Sequence, residues 1–151
     1  MKMDIIRRNT DYALRAMVNL AGHHGEDPVS TREISKSEDI SYQLACKLMQ
    51  RLNNAGLVKS TMGPSGGFAL SRKPEKINLA EIIVAIQGPL SLSRCLLGKN
   101  VCKKQNGCPI TLKLTKLQKN ISDYLQSVTL DELLHHQGSR KGSTKNKRRR
   151  R

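Results

Sequence analysis

The sequence has no tryptophan, one phenylalanine and three tyrosines, so any core it builds must be aliphatic, drawn from Leu, Ile, Val, Met and Ala. Acidic residues are also few: 12 stand against 27 Lys and Arg, giving a net charge of +15. No apolar run approaches the ~18 residues of a membrane span. The opening MKMDIIRRNTDYALR holds no apolar signal segment either, so neither a membrane-spanning nor a secreted protein is expected. Four cysteines, three of them close together, do not form the spread framework of a disulfide-stapled domain. The expected compartment is the reducing cytoplasm. There is no C-x-x-C pair, no nucleotide-binding glycine loop and no catalytic-triad spacing. That argues against an enzyme, including the thiol oxidoreductase that clustered cysteines first suggest.

What is abundant is positive charge, and it is unevenly placed. The last stretch, QGSRKGSTKNKRRRR at 137–151, holds eight Lys or Arg and no acid. Taking those eight from +15 leaves +7 on residues 1–136, which still favours a polyanionic partner such as nucleic acid. The stretch has no apolar residue to bury, so it reads as a disordered basic tail. A solvated appendage and a sequence-independent attraction for phosphate are both open for it. With 151 residues in all, the rest makes one ordinary domain, or a small domain with a long appendage. That is enough for a core without disulfides.

Helical spacing of Ala13, Met17, Leu20 and of Leu14, Val18, Ala21 predicts a helix over about 11–24, capped by Asn9 or Thr10. STRE at 30–33 is a capping box that opens a short helix containing Ile34. After a break at 38–40, Ser41 caps a third helix that reaches Ala55 and is stopped by Gly56. Two helices around a tight turn make a helix-turn-helix. GLVKSTMGPSGGFALS follows at once: two β-prone runs joined by a glycine-rich turn. The combination reads as a winged helix, with an ordinary hairpin on an α+β domain as the alternative. NLAE at 78–81 caps a further helix that ends at Gly88–Pro89. Beyond a cysteine loop, Pro109 suits the first turn of a long helix. There Ile110, Leu114, Leu117, Ile121, Leu125 and Val128 form a heptad-like seam, running over roughly 28 Å. A narrow seam of that length suggests pairing with a second copy; packing back onto its own domain is the alternative. A short helix opened by TLDE at 129–132 ends the pattern. The expected fold is mainly α with a small β-wing: a winged helix-turn-helix followed by a long C-terminal dimerisation helix.

The third helix divides by face. Leu44, Leu48, Leu52 and Ala55 point to the core, while Gln43, Cys46, Lys47, Gln50 and Asn54 lie within about 100° on the other side. Amides suit adenine edges and Lys suits guanine. These residues, with Arg51 counted among them and Ser41 and Tyr42 at the helix start, are the candidate DNA contacts; a merely solvated polar face is the ordinary alternative. Cys46 would be a small residue tolerated near DNA, or a buried inert thiol, and not a metal ligand. In the wing, the backbone of Gly63, Pro64, Ser65, Gly66 and Gly67 could approach DNA closely. Lys59 and Arg72 at its base are candidate phosphate contacts.

Cys95, Cys102 and Cys108 stand in CLLGKNVCKKQNGCP with gaps of six and five residues. Wide spacings on a flexible loop suit a bulkier inorganic core better than one tetrahedral ion. Lys99, Lys103 and Lys104 favour thiolates. Cys108 falls at the N-cap of the long helix, where the positive end favours an anion. An iron–sulfur cluster, a structural zinc and free redox-reactive thiols all remain open on spacing alone.

TDYALRAMVNLA, ISYQLACKLMQRLNNAGLVKSTMGPSGGFAL, INLAEIIVAIQG and the cysteine trio, in that order, resemble the Rrf-two family of bacterial regulators over roughly residues 3–135. The resemblance implies a homodimeric winged-helix regulator on a palindromic promoter site. It also implies a [2Fe-2S] or [4Fe-4S] cluster on the three cysteines that senses redox state, nitric oxide or iron supply. A cluster-free thiol switch, or a docking role for the loop, is the alternative within the family. Some members carry a His three residues after the last Cys, where this chain has Thr111. Others supply an Asp from the first helix of the partner, which matches Asp11 here. Asp11 is therefore the candidate fourth ligand, with a simple first-turn acid as its alternative. Members often have a basic wing residue where Met62 stands. The implied organisation is a DNA-binding domain at 1–88, a cysteine loop at 89–108, a dimerisation helix and short terminal helix at 109–136, and the tail at 137–151.

Overall fold

A computed structural model of the protein describes residues 4–143, with side-chain surroundings through residue 136. Six α-helices and one two-stranded antiparallel sheet are placed among these residues. Helix α1 (Arg8–Gly22) starts earlier than the cap candidates suggested, because Thr10 is used differently. Its side chain is fully buried, and its hydroxyl donates to Gln87 Oε1 at 2.7 Å. The buried face of α1 is Ala13, Ala16, Met17, Val18, Leu20 and Ala21, and α4 and α6 pack against this helix.

Helix α2 (Thr31–Ser37) opens on the expected capping box: Ser30 Oγ accepts from the Glu33 amide, and Glu33 Oε2 accepts from the Ser30 amide at 2.8 Å. Asp39, in the left-handed region at φ 53°, turns the chain into α3 (Tyr42–Asn54), a conformation Asp tolerates better than most residues. Ser41 caps α3 by accepting from Leu44 N at 3.2 Å, and Gly56 at φ 74° closes it. The core side of α3 is Ala45, Leu48, Met49 and Leu52. Leu44 is only half-buried and Ala55 is exposed, so the inward stripe lies slightly round from the expected one.

Strands β1 (Val58–Thr61) and β2 (Gly67–Leu70) pair from Val58–Leu70 to Thr61–Gly67. Val29 adds a bridge to Phe68, with hydrogen bonds of 2.9 and 2.8 Å, so the segment before α2 serves as a third edge. This edge explains Gly67, and the turn itself explains Gly66. A Cβ on Gly67 would run into the Val29 carbonyl, and one on Gly66 into the Thr61 carbonyl.

Helix α4 (Leu79–Gln87) also starts on a capping box, Asn78 with Glu81. Its entry is tied to the far end of the chain: Leu79 N donates to Val128 O and Leu130 N to Ile77 O, both at 3.0 Å. Helix α5 (Pro109–Ser127) therefore leaves and rejoins the body at fixed points, and α6 (Leu130–Ser143) returns along α1. Helix α6 continues past residue 137, where the tail was expected to begin; residues 144–151 lie outside the described set. The seam expected on α5 splits in two. Leu114, Ile121 and Leu125 are half-buried and Val128 is buried, while Ile110 and Leu117 are exposed. No helix among the described residues is long and apolar enough to cross a membrane.

Candidate functional site

Two sites are built into this frame. The first is the outer face of α3 with the wing. Ser41, Tyr42, Gln43, Lys47, Gln50 and Asn54 are all exposed, forming one polar surface over the helix-turn-helix. Cys46 is half-buried and unbonded to another cysteine. Arg32 of α2 lies with its guanidinium 6.0 Å from the Tyr42 ring centre. That adds a cation at the start of α3 which no sequence motif marks. Arg51 is exposed as well, and its Nη1 donates to the Ile86 carbonyl at 3.0 Å at the end of α4. Arg72 is held by Glu81 at 2.8 Å beside the wing base, whereas Lys59 is exposed on β1. The wing turn is fixed by Gly66 N donating to Gly63 O at 3.0 Å, with Gly63 at φ 106°. Pro64 and Ser65 form its exposed tip, and Met62 enters it 93% exposed.

The second site is the loop between α4 and α5. Cys95 sits in a single turn, Arg94–Leu96, and is half-buried; Cys102 is exposed. Cys108 is the N-cap residue of α5, with Pro109 in the first turn as its sequence indicated. The loop is ordered by Gln105, whose Nε2 donates to the carbonyls of Cys95 at 2.7 Å and Gly98 at 3.0 Å. Gln118 anchors its start by accepting from Leu92 N at 3.0 Å. Neither glutamine belongs to a recognisable motif, which is why the sequence did not expose them.

Cys108 stands at the start of α5 among donors. The Thr111 amide, the Thr111 hydroxyl and the Ile110 amide all favour its charged form, and its pKa lies below the ordinary thiol value. Thr111 Oγ1 is shut off from solvent and makes no hydrogen bond of ordinary length, and Gln105 Oε1 is likewise buried and unpaired. Two orphaned oxygens, one in the cysteine loop and one in the first turn of α5, fit a site that completes itself on binding something. Soft sulfur donors fit an iron–sulfur cluster or zinc rather than a hard cation. Among the described residues, however, no three His, Cys, Asp or Glu side chains are gathered into a set that could hold a metal ion. The thiols share a loop without converging. Asp11 lies in the first turn of α1, exposed and ion-paired with Arg15 at 2.8 Å; this pair raises the Arg15 pKa.

The two sites are joined through the end of α4. Ile86 is held by Arg51 of α3. Gln87 accepts from the Arg7 amide at 3.0 Å and donates to the Ile5 carbonyl at 2.9 Å. The cysteine loop begins immediately after.

A helix-turn-helix with an exposed polar second helix, flanked by a glycine-locked hairpin, defines a winged-helix DNA-binding regulator. The chain belongs to the Rrf2 family: the model of that family, described as an iron-dependent transcriptional regulator, matches residues 6–136. The HTH-type transcriptional regulator IscR of Xenorhabdus nematophila is 36% identical over 83% of this chain and 76% of its own length. IscR of Erwinia tasmaniensis is 34% identical over the same shares. Among solved structures, CymR, the global cysteine regulator of B. subtilis, superposes with a TM-score of 0.73 at 30% identity, covering 90% of this chain and 98% of that one. T. potens IscR gives a TM-score of 0.68 at 31% identity, covering 90% and 88%. These relatives are transcription regulators and not enzymes.

Proposed function

We propose that the protein is a cytoplasmic homodimeric regulator that binds palindromic promoter DNA and senses redox state, nitric oxide or iron supply through an iron–sulfur cluster on Cys95, Cys102 and Cys108. One observation carries the reading: the three thiols occupy the single segment that links the DNA-binding unit to α5, and the last of them stands at the N-cap position of that helix with its thiolate favoured. When bound, the cluster would supply a centre open to oxidation, nitrosylation or loss. The protein's own groups do the rest. Cys108 fixes the start of α5, Gln105 ties Cys95 to the second half of the loop, and Arg51 and Gln87 bind the loop's origin to α3 and α1. Movement of the loop thus reaches the recognition helix through Ile86. Asp11 of the partner subunit is the proposed fourth ligand, which requires release of its pairing with Arg15.

Gln43, Lys47, Gln50 and Asn54 would read base edges, with Ser41, Tyr42 and Lys59 on phosphates. Two recognition helices would meet half-sites one helical turn, or a multiple of it, apart. The organisation proposed is DNA binding in 1–88, sensing in 89–108 and pairing in 109–136, with phosphate attraction from 137–151.

The test is anaerobic purification with iron, sulfide and zinc analysis and a visible spectrum. Iron and sulfide in equal amounts with a coloured protein are expected, and Cys102→Ala should bleach it while leaving far-UV circular dichroism unchanged. A colourless, metal-free protein favours the second reading, a thiol switch. That reading is supported by the lowered pKa of Cys108 and by the likeness to Staphylococcus aureus CymR, solved in an oxidized form, at 26% identity and a TM-score of 0.68.

A further inference from the structure

We infer that Gln105 is the positioning residue of the cysteine loop, and that its side chain keeps Cys95 placed to share one thiophilic metal centre with Cys102 and Cys108. The inference rests on the reading of the three cysteines as one ligand set. Between α4 and α5 the chain forms no regular element beyond the single turn Arg94–Leu96, so helix hydrogen bonds do not fix the thiols relative to one another. Gln105 is bonded to the backbone of all three cysteines. Its amide donates to the Cys102 carbonyl at 3.1 Å, and its carbonyl accepts from the Cys108 amide at 3.4 Å. Its side-chain Nε2 donates to the Cys95 carbonyl at 2.7 Å and to the Gly98 carbonyl at 3.0 Å.

The two kinds of bond differ in what they ask of position 105. Any residue there can make the main-chain pair, whereas the cross-loop bonds need this side chain. The other hydrogen bonds placed between residues 93 and 108 each span two or three positions; those from Gln105 Nε2 span ten and seven. Cys102 and Cys108 are thus set by local turns, and Cys95 is tied to them by one amide. The orientation of that amide is fixed as well. Nε2 faces two carbonyl oxygens, while Oε1 is shut off from solvent without a partner. A glutamate would bring a carboxylate against the same carbonyls with no proton to give. A loop without these bonds keeps its thiols but must order Cys95 each time a metal binds, which lowers affinity. Partners that hold a ligand from behind typically contribute about tenfold to 100-fold in metal affinity.

The probe is cobalt(II), titrated anaerobically into the reduced, metal-free, full-length protein and read by its thiolate charge-transfer absorption. Gln105→Ala and Gln105→Glu should each bind cobalt at least about tenfold more weakly, with far-UV circular dichroism unchanged. Asn106→Ala, exposed and next in the chain, should match wild type. Alkylation at saturating cobalt, mapped by peptide, gives the sharper result. Wild type should shield Cys95, Cys102 and Cys108 alike, and Gln105→Ala should leave Cys95 open while the other two stay shielded. Equal affinity and equal shielding of Cys95 in Gln105→Ala and wild type would overturn the positioning role. Loss of shielding at all three thiols would overturn it too, because a loosened loop gives that result without any special tie to Cys95. If wild type takes up no cobalt and shields none of the three, the ligand reading of the cysteines fails and the inference falls with it.

Discussion

Cys108 shows how much one position depends on its neighbours. A cysteine at the N-cap of α5 meets the unpaired amides of a helix start, and a hydroxyl three residues on adds a third donor. Each favours sulfur in its charged form. In the metal-free protein, alkylation of Cys108 should therefore reach half its limiting rate at a pH below the ordinary thiol value of ~8.5. Thr111→Val removes the hydroxyl but keeps the amide, so the midpoint should move upward without returning to that value. Peptide mapping of iodoacetamide labelling across pH reads both. An unchanged midpoint in Thr111→Val would show that the helix start acts alone. Thr111 was visible in the sequence only as a missing histidine; its nearness to the Cys108 sulfur follows from the turn geometry of α5.

At the scale of elements, local chemistry was legible where it repeats known rules. The two capping boxes, Ser30 with Glu33 and Asn78 with Glu81, the Ser41 cap and the first-turn Pro109 all stand where residue order placed them. The first box yields a pH dependence. Ser30's hydroxyl and amide hold the Glu33 carboxyl below its usual value. A depressed carboxyl stabilises the fold above its unfolded value of ~4.3, and that contribution is lost as pH falls through the lower folded value. Ser30→Ala should cost about 1 kcal/mol at neutral pH and flatten the acid limb of the stability profile below ~4.3. Urea unfolding of wild type and variant at several pH values measures both effects. What could not be read locally are contacts made across the chain. Thr10 looked like a cap and is a buried donor to Gln87, 77 positions away. Arg51, exposed on α3, also holds the end of α4, a contact no motif marks. The cysteine loop was legible as a thiol cluster, yet its order comes from Gln105 and Gln118, whose partners are backbone groups that no motif advertises.

For the whole molecule the telling feature is α5, a helix of 19 residues with none fully buried. Leu114, Ile121 and Leu125 rest half-buried on its own chain, which accounts for part of the seam. Ile110, Leu117 and Tyr124, each seven residues apart, are 67%, 48% and 68% exposed on the other part. A stripe at that spacing is the pattern by which one helix meets another, and a second copy brings the same stripe to it under two-fold symmetry. Leu117 is its midpoint. Replacing it by Lys puts two like charges into the contact and removes two buried leucines, so the dimer dissociation constant should rise about 100-fold or more. Helix content should not change, because the half-buried residues of α5 are untouched. Sedimentation equilibrium at micromolar protein reads the shift, and binding to a palindromic duplex should then fall toward that of a single half-site. A Leu117→Lys protein that stays dimeric at the same concentrations would place the interface elsewhere, and α5 would be a strut of its own chain.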